Sequence, residues 1–311
     1  MPVAISVLSV SLGSSKRDKK VSTALLGEQV IIERRGTDGD INAAIRLIRE
    51  MDGKVDAIGL GGIDLYLWVG DRKYVVRDAL KMAQAARKSP VVDGSGLKNT
   101  LERRTVEWLA QKFEGTPKLS DSRAMMTSGI DRTGMAQSLW KYCRSVVFGD
   151  LAFALGIGIP IRSLKTLFFL GSVLLPIVTR LPFTWIYPTG EKQEKQTPKY
   201  PKLFESADWI CGDFHYIKRY APSNLNGKVI LTNTTTEEDV TMLAGRGVRW
   251  LVTTTPVFEG RSFGTNLLEA CIVALIKRSH SEGYLPTLAD YEAYLNKLEI
   301  TPSVRALDKA N

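Results

Sequence analysis

Short β-branched runs alternate with stretches of helical periodicity from the start of the chain, the pattern of a parallel α/β sheet. In the first 115 residues the pattern predicts strands at Ala4 to Leu12, Gln29 to Arg34, Asp56 to Leu60 and Pro90 to Val92. Helices are predicted between and after them. In Asp40 to Met51 the residues Ile41, Ala44, Ile45 and Ile48 recur at helical spacing, with Asp40 placed as N-cap. Two more cover Arg77 to Lys88 and about Asn99 to Phe113.

The tract Glu114 to Ser120 reads as a boundary, dividing the chain into domains 1–115 and 116–311. Beyond it the alternation restarts. Strands are predicted at Arg123 to Thr127, Ser145 to Phe148, Trp209 to Cys211, Lys228 to Leu231 and Arg249 to Thr253. Helices are predicted at Gly134 to Tyr142, Thr236 to Ala244 and Asn266 to Arg278. The fold class expected is therefore α/β, with two doubly wound parallel-sheet domains, the second Rossmann-like. The apolar stretch 151–185 breaks the rhythm and reads as a helical insertion. Its uncharged run Thr166 to Thr179 has 14 residues, too few for the roughly 20 that span a bilayer as a helix.

Composition narrows the chemistry. Apolar residues make up 44% and charged residues 24%, which excludes a disordered chain or a disulfide-stapled scaffold. The only histidines are His215 and His280, and Cys143, Cys211 and Cys271 form no CxxC pair, so no metal site is expected. Dispersed thiols suit a reducing cytoplasm. MPVAISVLSVSLG lacks a basic segment before its apolar run and reads as a strand rather than a signal peptide. The net charge of +9 predicts attraction to anions. The basic residues are scattered without a recognition motif, so nucleic acid is not expected as a partner.

In an open parallel sheet, ligands bind beyond the carboxyl ends of the strands. Each predicted strand of the first half runs there into glycine and polar residues: SLGSSKRDKK, RRGTDGD, GLGGID and DGSGLKNTLERR. Ser14, Ser15, Lys16 and Arg17 together resemble a cradle for a carboxylate or phosphate. Lys98 stands where a helix begins. Desolvation there could lower its pKa and make it a general acid or base, or it could orient a substrate oxyanion. Asp64 and Asp93 are its candidate carboxylate partners.

The second half carries a strand–loop–helix–strand unit, RAMMT, SGIDRTGMAQSLWKYC and SVVFGD. Gly129 and Gly134 are spaced like the outer glycines of G-x-G-x-x-G. Asp150 follows Gly129 by 21 residues, where a ribose-binding acid would sit. The helix starting at Gly134 would aim its positive end at a pyrophosphate. Asp131 replaces the middle glycine and would repel that group unless Arg132 neutralised it or it turned away. Asn233, Thr254 and Gly264 complete the candidate cofactor contacts. Asp150, with no arginine after it, favours NAD over NADP. His215 near Asp213 is a candidate proton carrier, with a structural role as the alternative.

The segments SLGSSKRD, ERRGTDGD, GLGGIDLY, DGSGLKNTLERR, GIDRTGMA, FGDLAFALG, YPTGEKQE and GRSFGTN span nearly the whole chain. On them the protein resembles a bacterial family whose members usually carry the automatic label quinate 5-dehydrogenase, akin to the quinate/shikimate dehydrogenase group. The resemblance implies an N-terminal substrate domain and a C-terminal dinucleotide domain. It also implies a lysine and an aspartate assisting hydride transfer, with Lys98 as the lysine and Asp64 or Asp93 as the aspartate. The group's S-x-S-P motif is replaced here by SLGSSKRD.

The expected function is an NAD(P)-dependent oxidoreductase acting on a small polyhydroxylated carboxylic acid. One alternative is a Rossmann-like transferase or lyase without nicotinamide, for instance one using S-adenosylmethionine. Another is a non-catalytic protein docked on a membrane surface or a partner through 151–185, motivated by Arg162, Arg180 and Trp185 and the basic loop Glu191 to Lys202. A homodimer is left open.

Overall fold

The computed structural model describes residues 4–70, 72–182, 196–255, 257–258, 261–262, 264–280 and 284–307. Trp185 and the start of the 191–202 loop lie outside them. The first part of the chain forms β1 (Ile5–Ser11), β2 (Lys19–Leu25), β3 (Glu28–Gly36), α1 (Ile41–Met51), β4 (Ala57–Gly61), the hairpin β5 (Tyr66–Val69) and β6 (Arg72–Val75), α2 (Arg77–Ala83) and β7 (Val91–Val92). The sheet order is β2-β3-β1-β4-β7, parallel except for β2. The sequence pattern predicts a polar loop through SLGSSKRDKK, and the structure begins β2 within it. β2 is an antiparallel edge strand whose exposed Lys19 and Lys20 begin it, the kind of edge that discourages strand addition.

Side-chain alternation along β1 divides two cores. Ile5 and Val7 face one side, where they meet Leu97 and Leu101 of α3 (Ser95–Lys112). Leu8 and Val10 face the other, with Ala44 and Ile48 of α1 and Met82 of α2. The long helix α3 serves both halves of the molecule, because farther along it Val106 and Leu109 enter the core of the second sheet.

The second sheet is assembled from β8 (Arg123–Met126), α4 (Thr133–Tyr142), β9 (Ser145–Phe148), α5 (Asp150–Leu155), α6 (Leu164–Val178), α7 (Pro201–Glu205), β10 (Trp209–Cys211), α8 (Phe214–Tyr220), β11 (Val229–Thr232), α9 (Glu237–Gly245) and β12 (Trp250–Thr253). Two short strands, β13 (Val257–Phe258) and β14 (Arg261–Ser262), precede α10 (Thr265–Ser279), α11 (Leu288–Lys297) and β15 (Ser303–Ala306). The order is β15-β12-β11-β10-β8-β9, with only β15 antiparallel. Both sheets are thus doubly wound, and the second is Rossmann-like, as expected.

Two features position the site. The winding reverses between β1 and β4 in the first sheet and between β8 and β10 in the second, and such switch points open a crevice at the strand ends. The helix α10, late in the chain, covers the first sheet rather than the second. Its residues Leu267 to Ile276 are buried with Ile5, Val7 and Ala57. Gly59 and Gly94 admit its first turn, since a Cβ on either would lie 2.8 or 2.7 Å from Asn266 backbone atoms. Gly94 also needs its left-handed φ of 95° to start α3.

A buried carboxyl in this layer makes stability depend on pH. Burial first, and Asp93 second, push the pKa of Glu269 up to about 8. Tyr291 donates its hydroxyl proton to Glu269 Oε1 at 2.8 Å, while Oε2 has no partner. A carboxyl that holds its proton more tightly when folded stabilises the fold below its unfolded pKa, and that stability is lost as pH rises through the folded value. We therefore expect stability to fall between about pH 4.5 and 8, by a few kcal/mol, in order of magnitude, from this group. Glu269→Gln, which keeps the acceptor for Tyr291, should flatten that slope in urea melts followed from acid to alkaline pH. Equal slopes in both proteins would remove Glu269 as the cause.

Candidate functional site

The two switch points meet at Lys98. One turn into α3, its ammonium lies 2.7 Å from Asp131 Oδ1, in the loop after β8, and 3.5 Å from Asp64 Oδ1, in the loop after β4. Asp131 Oδ2 is 3.7 Å from the guanidinium of Arg132, which pairs with Glu102 of α3 and, at 2.6 Å, with Asp213 after β10. Lys98, Glu102 and Arg132 are buried, while the side chains of Asp64 and Asp131 remain 21% and 22% exposed. The cluster is therefore open to solvent on its aspartate side.

Burial opposes the charge on Lys98, but Asp131 and then Asp64 outweigh it and hold its pKa above that of an ordinary lysine. This corrects the expectation of a lowered pKa, because desolvation does not prevail with two carboxylates so near. Lys98 is a fixed ammonium. It has three N–H donors, of which Asp131 and Asp64 engage two, so one can meet a substrate oxygen. Asp213 is held well below the usual carboxylate range, because Arg132 overcomes the cost of its burial. Burial raises the pKa of Glu102 in spite of Arg132.

Asp93 is not a partner of Lys98. Its Oδ2 accepts the backbone N–H groups of Leu65 (2.5 Å) and Tyr66 (3.1 Å), and its Oδ1 accepts the Ser95 amide and hydroxyl. It ties the Asp64 loop to the start of α3, which is a positioning task. The Ser14–Arg17 cradle is also satisfied from within. Ser14 caps the short helix Ser15–Arg17, the Ser15 amide donates to Asp38 at 2.8 Å, and Arg34 binds Asp18 and the Ser14 carbonyl. Lys16 and Arg17 are exposed beside it.

The groups expected to seat a dinucleotide are engaged in the same way. The amides of Gly129 and Ile130 donate to the Asp150 carboxylate at 2.9–3.0 Å, so this acid closes the glycine loop instead of reaching for a ribose. Burial lifts its pKa to about 6 against those hydrogen bonds. At the start of α4, the Gly134 amide donates to Asn99 Oδ1 at 3.1 Å, and a Cβ on Gly134 would meet the Asn99 backbone. Leu167 of α6 covers Gly129. Arg132 is committed to acids. In this arrangement Gly129, Arg132, Gly134 and Asp150 are all engaged within the protein, so a pyrophosphate would reach the loop amides only by displacing Asp150.

Asn233 donates from Nδ2 to Asp213 at 3.1 Å and orients it. Thr254 is buried at the end of β12, its hydroxyl without a partner. Gly264 caps α10 against the first sheet, away from the cofactor role expected of it. The His215 ring is exposed, and its backbone amide is capped by Asp213. Burial raises Cys143 to about 12, which leaves its thiol unionised near neutrality. Among the described residues no group of histidine, cysteine and acidic side chains could hold a metal ion.

Sequence reasoning did not single out Glu102, Asn99 or Asp213 for this site. The spacing of Lys98 and Glu102 by four residues places both on one face of α3, a signal that could have found Glu102. Nothing local distinguishes Asn99.

Residues 96–307 match the model of a family described as domain of unknown function DUF8754, and residues 6–93 match one described as DUF8753. No curated protein matches the sequence. Among solved structures the chain is similar to an NAD-dependent malic enzyme from Thermotoga maritima, with 13% identity, 95% of this chain and 83% of that chain covered, and a TM-score of 0.35. It is similar to L-tryptophan dehydrogenase from Nostoc punctiforme at 12% identity, covering 96% and 80%, with a TM-score of 0.37. A glucose-galactose binding protein from Geobacillus stearothermophilus is matched at 10% identity, covering 99% of both chains, with a TM-score of 0.39.

Proposed function

The chain belongs to the DUF8754 family, and we propose that it is an oxidoreductase acting at a hydroxyl-bearing carbon of a small polyhydroxylated carboxylic acid of the quinate or shikimate kind. One observation carries this reading: a buried ammonium, Lys98, bridges a carboxylate from each switch point. In the reaction, the third N–H of Lys98 holds the substrate oxygen and stabilises the alkoxide as negative charge develops on it. Asp131 or Asp64 takes the hydroxyl proton, being within one hydrogen bond of the same ammonium.

Charge sets the orientation of the substrate. Two cations, Lys98 and Arg132, face four acids, Asp64, Asp131, Asp213 and Glu102, so a carboxylate placed at Lys98 would be repelled. A hydroxyl belongs there. The carboxylate of the substrate is drawn instead to Lys16 and Arg17, exposed at the neighbouring strand end.

A nicotinamide cofactor, NAD or NADP, would supply the hydride acceptor in this proposal, and it would seat at the glycine loop only by displacing Asp150 from the amides of Gly129 and Ile130. That loop favours a second reading, a Rossmann-like lyase or transferase without nicotinamide, in which Lys98 and its aspartates move a proton only.

Ligand-induced melting shifts separate the two. A ligand that binds the native state stabilises it by RT ln(1 + [L]/Kd), about 2.7 kcal/mol at a hundred times Kd. Stabilisation by NAD or NADP, strengthened by quinate or shikimate, is the expected result. A shift with S-adenosylmethionine alone transfers the assignment to the second reading. If neither cofactor nor polyol acid shifts the melting temperature, the oxidoreductase proposal is rejected.

A further inference from the structure

The helix α6 has two apolar faces. Leu167, Gly171 and Leu175, four residues apart, are buried. Leu167 lies over Gly129, and Gly171 lets Ile130 and Val69 come close, so that α6 is anchored to both the glycine loop and the β5 hairpin. Two residues on from each, which is about half a turn, stand Phe169, Val173 and Ile177, exposed by 67, 53 and 61%. A helix apolar all round is ordinarily covered all round; among the described residues this one shows burial on a single side. Leu155, Ile157 and Ile159 just before it are exposed as well.

The charges within this segment all have one sign. From 151 to 182 the sequence contains Arg162, Lys165 and Arg180 and no aspartate or glutamate. All three cations are exposed, Arg162 and Lys165 at the start of α6 and Arg180 just beyond its end. An exposed apolar stripe bounded by cations is the chemistry of a helix lying in the headgroup region of a bilayer. No helix among the described residues is long and apolar enough to cross a membrane, so contact would be confined to the surface.

We propose that the outer face of α6 docks this protein on an anionic lipid surface, with Phe169, Val173 and Ile177 entering the acyl boundary and Arg162, Lys165 and Arg180 meeting lipid phosphates. Charge complementarity selects that occupant. A second copy of the same face would bring only like cations against it, with no acid in the segment to pair them. The net charge of +9 adds long-range attraction to such a surface.

Flotation of the full chain with vesicles tests this, using phosphatidylcholine alone and phosphatidylcholine mixed with phosphatidylglycerol. The chain should float with the mixed vesicles and not with phosphatidylcholine, and added salt should release it. Replacing Phe169 and Ile177 together by serine should weaken partitioning by roughly tenfold or more. Their exposure predicts an unchanged melting temperature. The triple replacement of Arg162, Lys165 and Arg180 by serine should abolish the preference for anionic vesicles while leaving the fold intact. The proposal is overturned by failure to float with anionic vesicles, or by equal flotation of the Phe169/Ile177 variant. Self-association of the parent that this variant removes would overturn it too, since a second copy would then be the occupant.

Discussion

Replacing Lys98 with methionine should lower turnover of a quinate- or shikimate-like substrate by about a hundredfold to ten-thousandfold, the range that a positioned proton-handling group contributes. The loss should appear in kcat, because the ammonium acts most strongly on the alkoxide formed during the reaction. Lys98→Arg provides the control. It keeps the positive charge between Asp64 and Asp131, and so most of the stability, but its planar fork cannot present the same third donor. Turnover should therefore stay low in both variants, while the melting temperature recovers in the arginine variant. Unchanged kcat in Lys98→Met would take Lys98 out of the chemistry.

Arg132→Met should be the most destabilising single change in the cluster. The guanidinium is buried between Glu102 and Asp213, with Asp131 close by. Removing one partner of a buried ion pair leaves an uncompensated charge, at a cost of about 3–5 kcal/mol. Glu102 absorbs part of that cost by taking up a proton, because burial already raises its pKa. The double variant Arg132→Met, Glu102→Gln should recover a large share of the loss, since no buried carboxylate then remains on α3. Urea unfolding of the four members of this cycle measures the coupling. A loss below about 1 kcal/mol for Arg132→Met would show that the network contributes little to the fold.

The two predictions also separate the roles of neighbouring groups. Lys98 faces the partly exposed Asp64 and Asp131, whereas Arg132 fastens α3 to the loops after β8 and β10. A variant can therefore lose chemistry through Lys98 or cohesion through Arg132, and the measurements differ accordingly.

Much of the fold could be read from the order of residues. The β-branched runs ending in SLG, GLGG, TSGI and FGD mark strand ends, and those ends carry the polar groups that build the site. Lys98 could be picked out because DGSG before it predicts a turn into a helix. The edge strand β2 was hidden, because a polar, lysine-bearing strand and a solvated loop have the same composition. The helix α10 follows the second sheet's strands in sequence yet covers the first. Its apolar residues surround the helix, so no periodicity shows which sheet it will face.

By itself, the sequence determined the alternation of strands and helices, hence two doubly wound sheets and the strand ends at which ligand chemistry can gather. Only the tertiary structure decided which groups meet there. Asp131, in sequence a misfit within a phosphate loop, pairs with Lys98 from 33 residues away. Asp150 turns inward to the loop amides, and Asn99 takes the N-terminal turn of α4. These outcomes depend on the direction of each side chain and on distances of a few ångströms between segments remote in the chain. Local propensity carries no record of either.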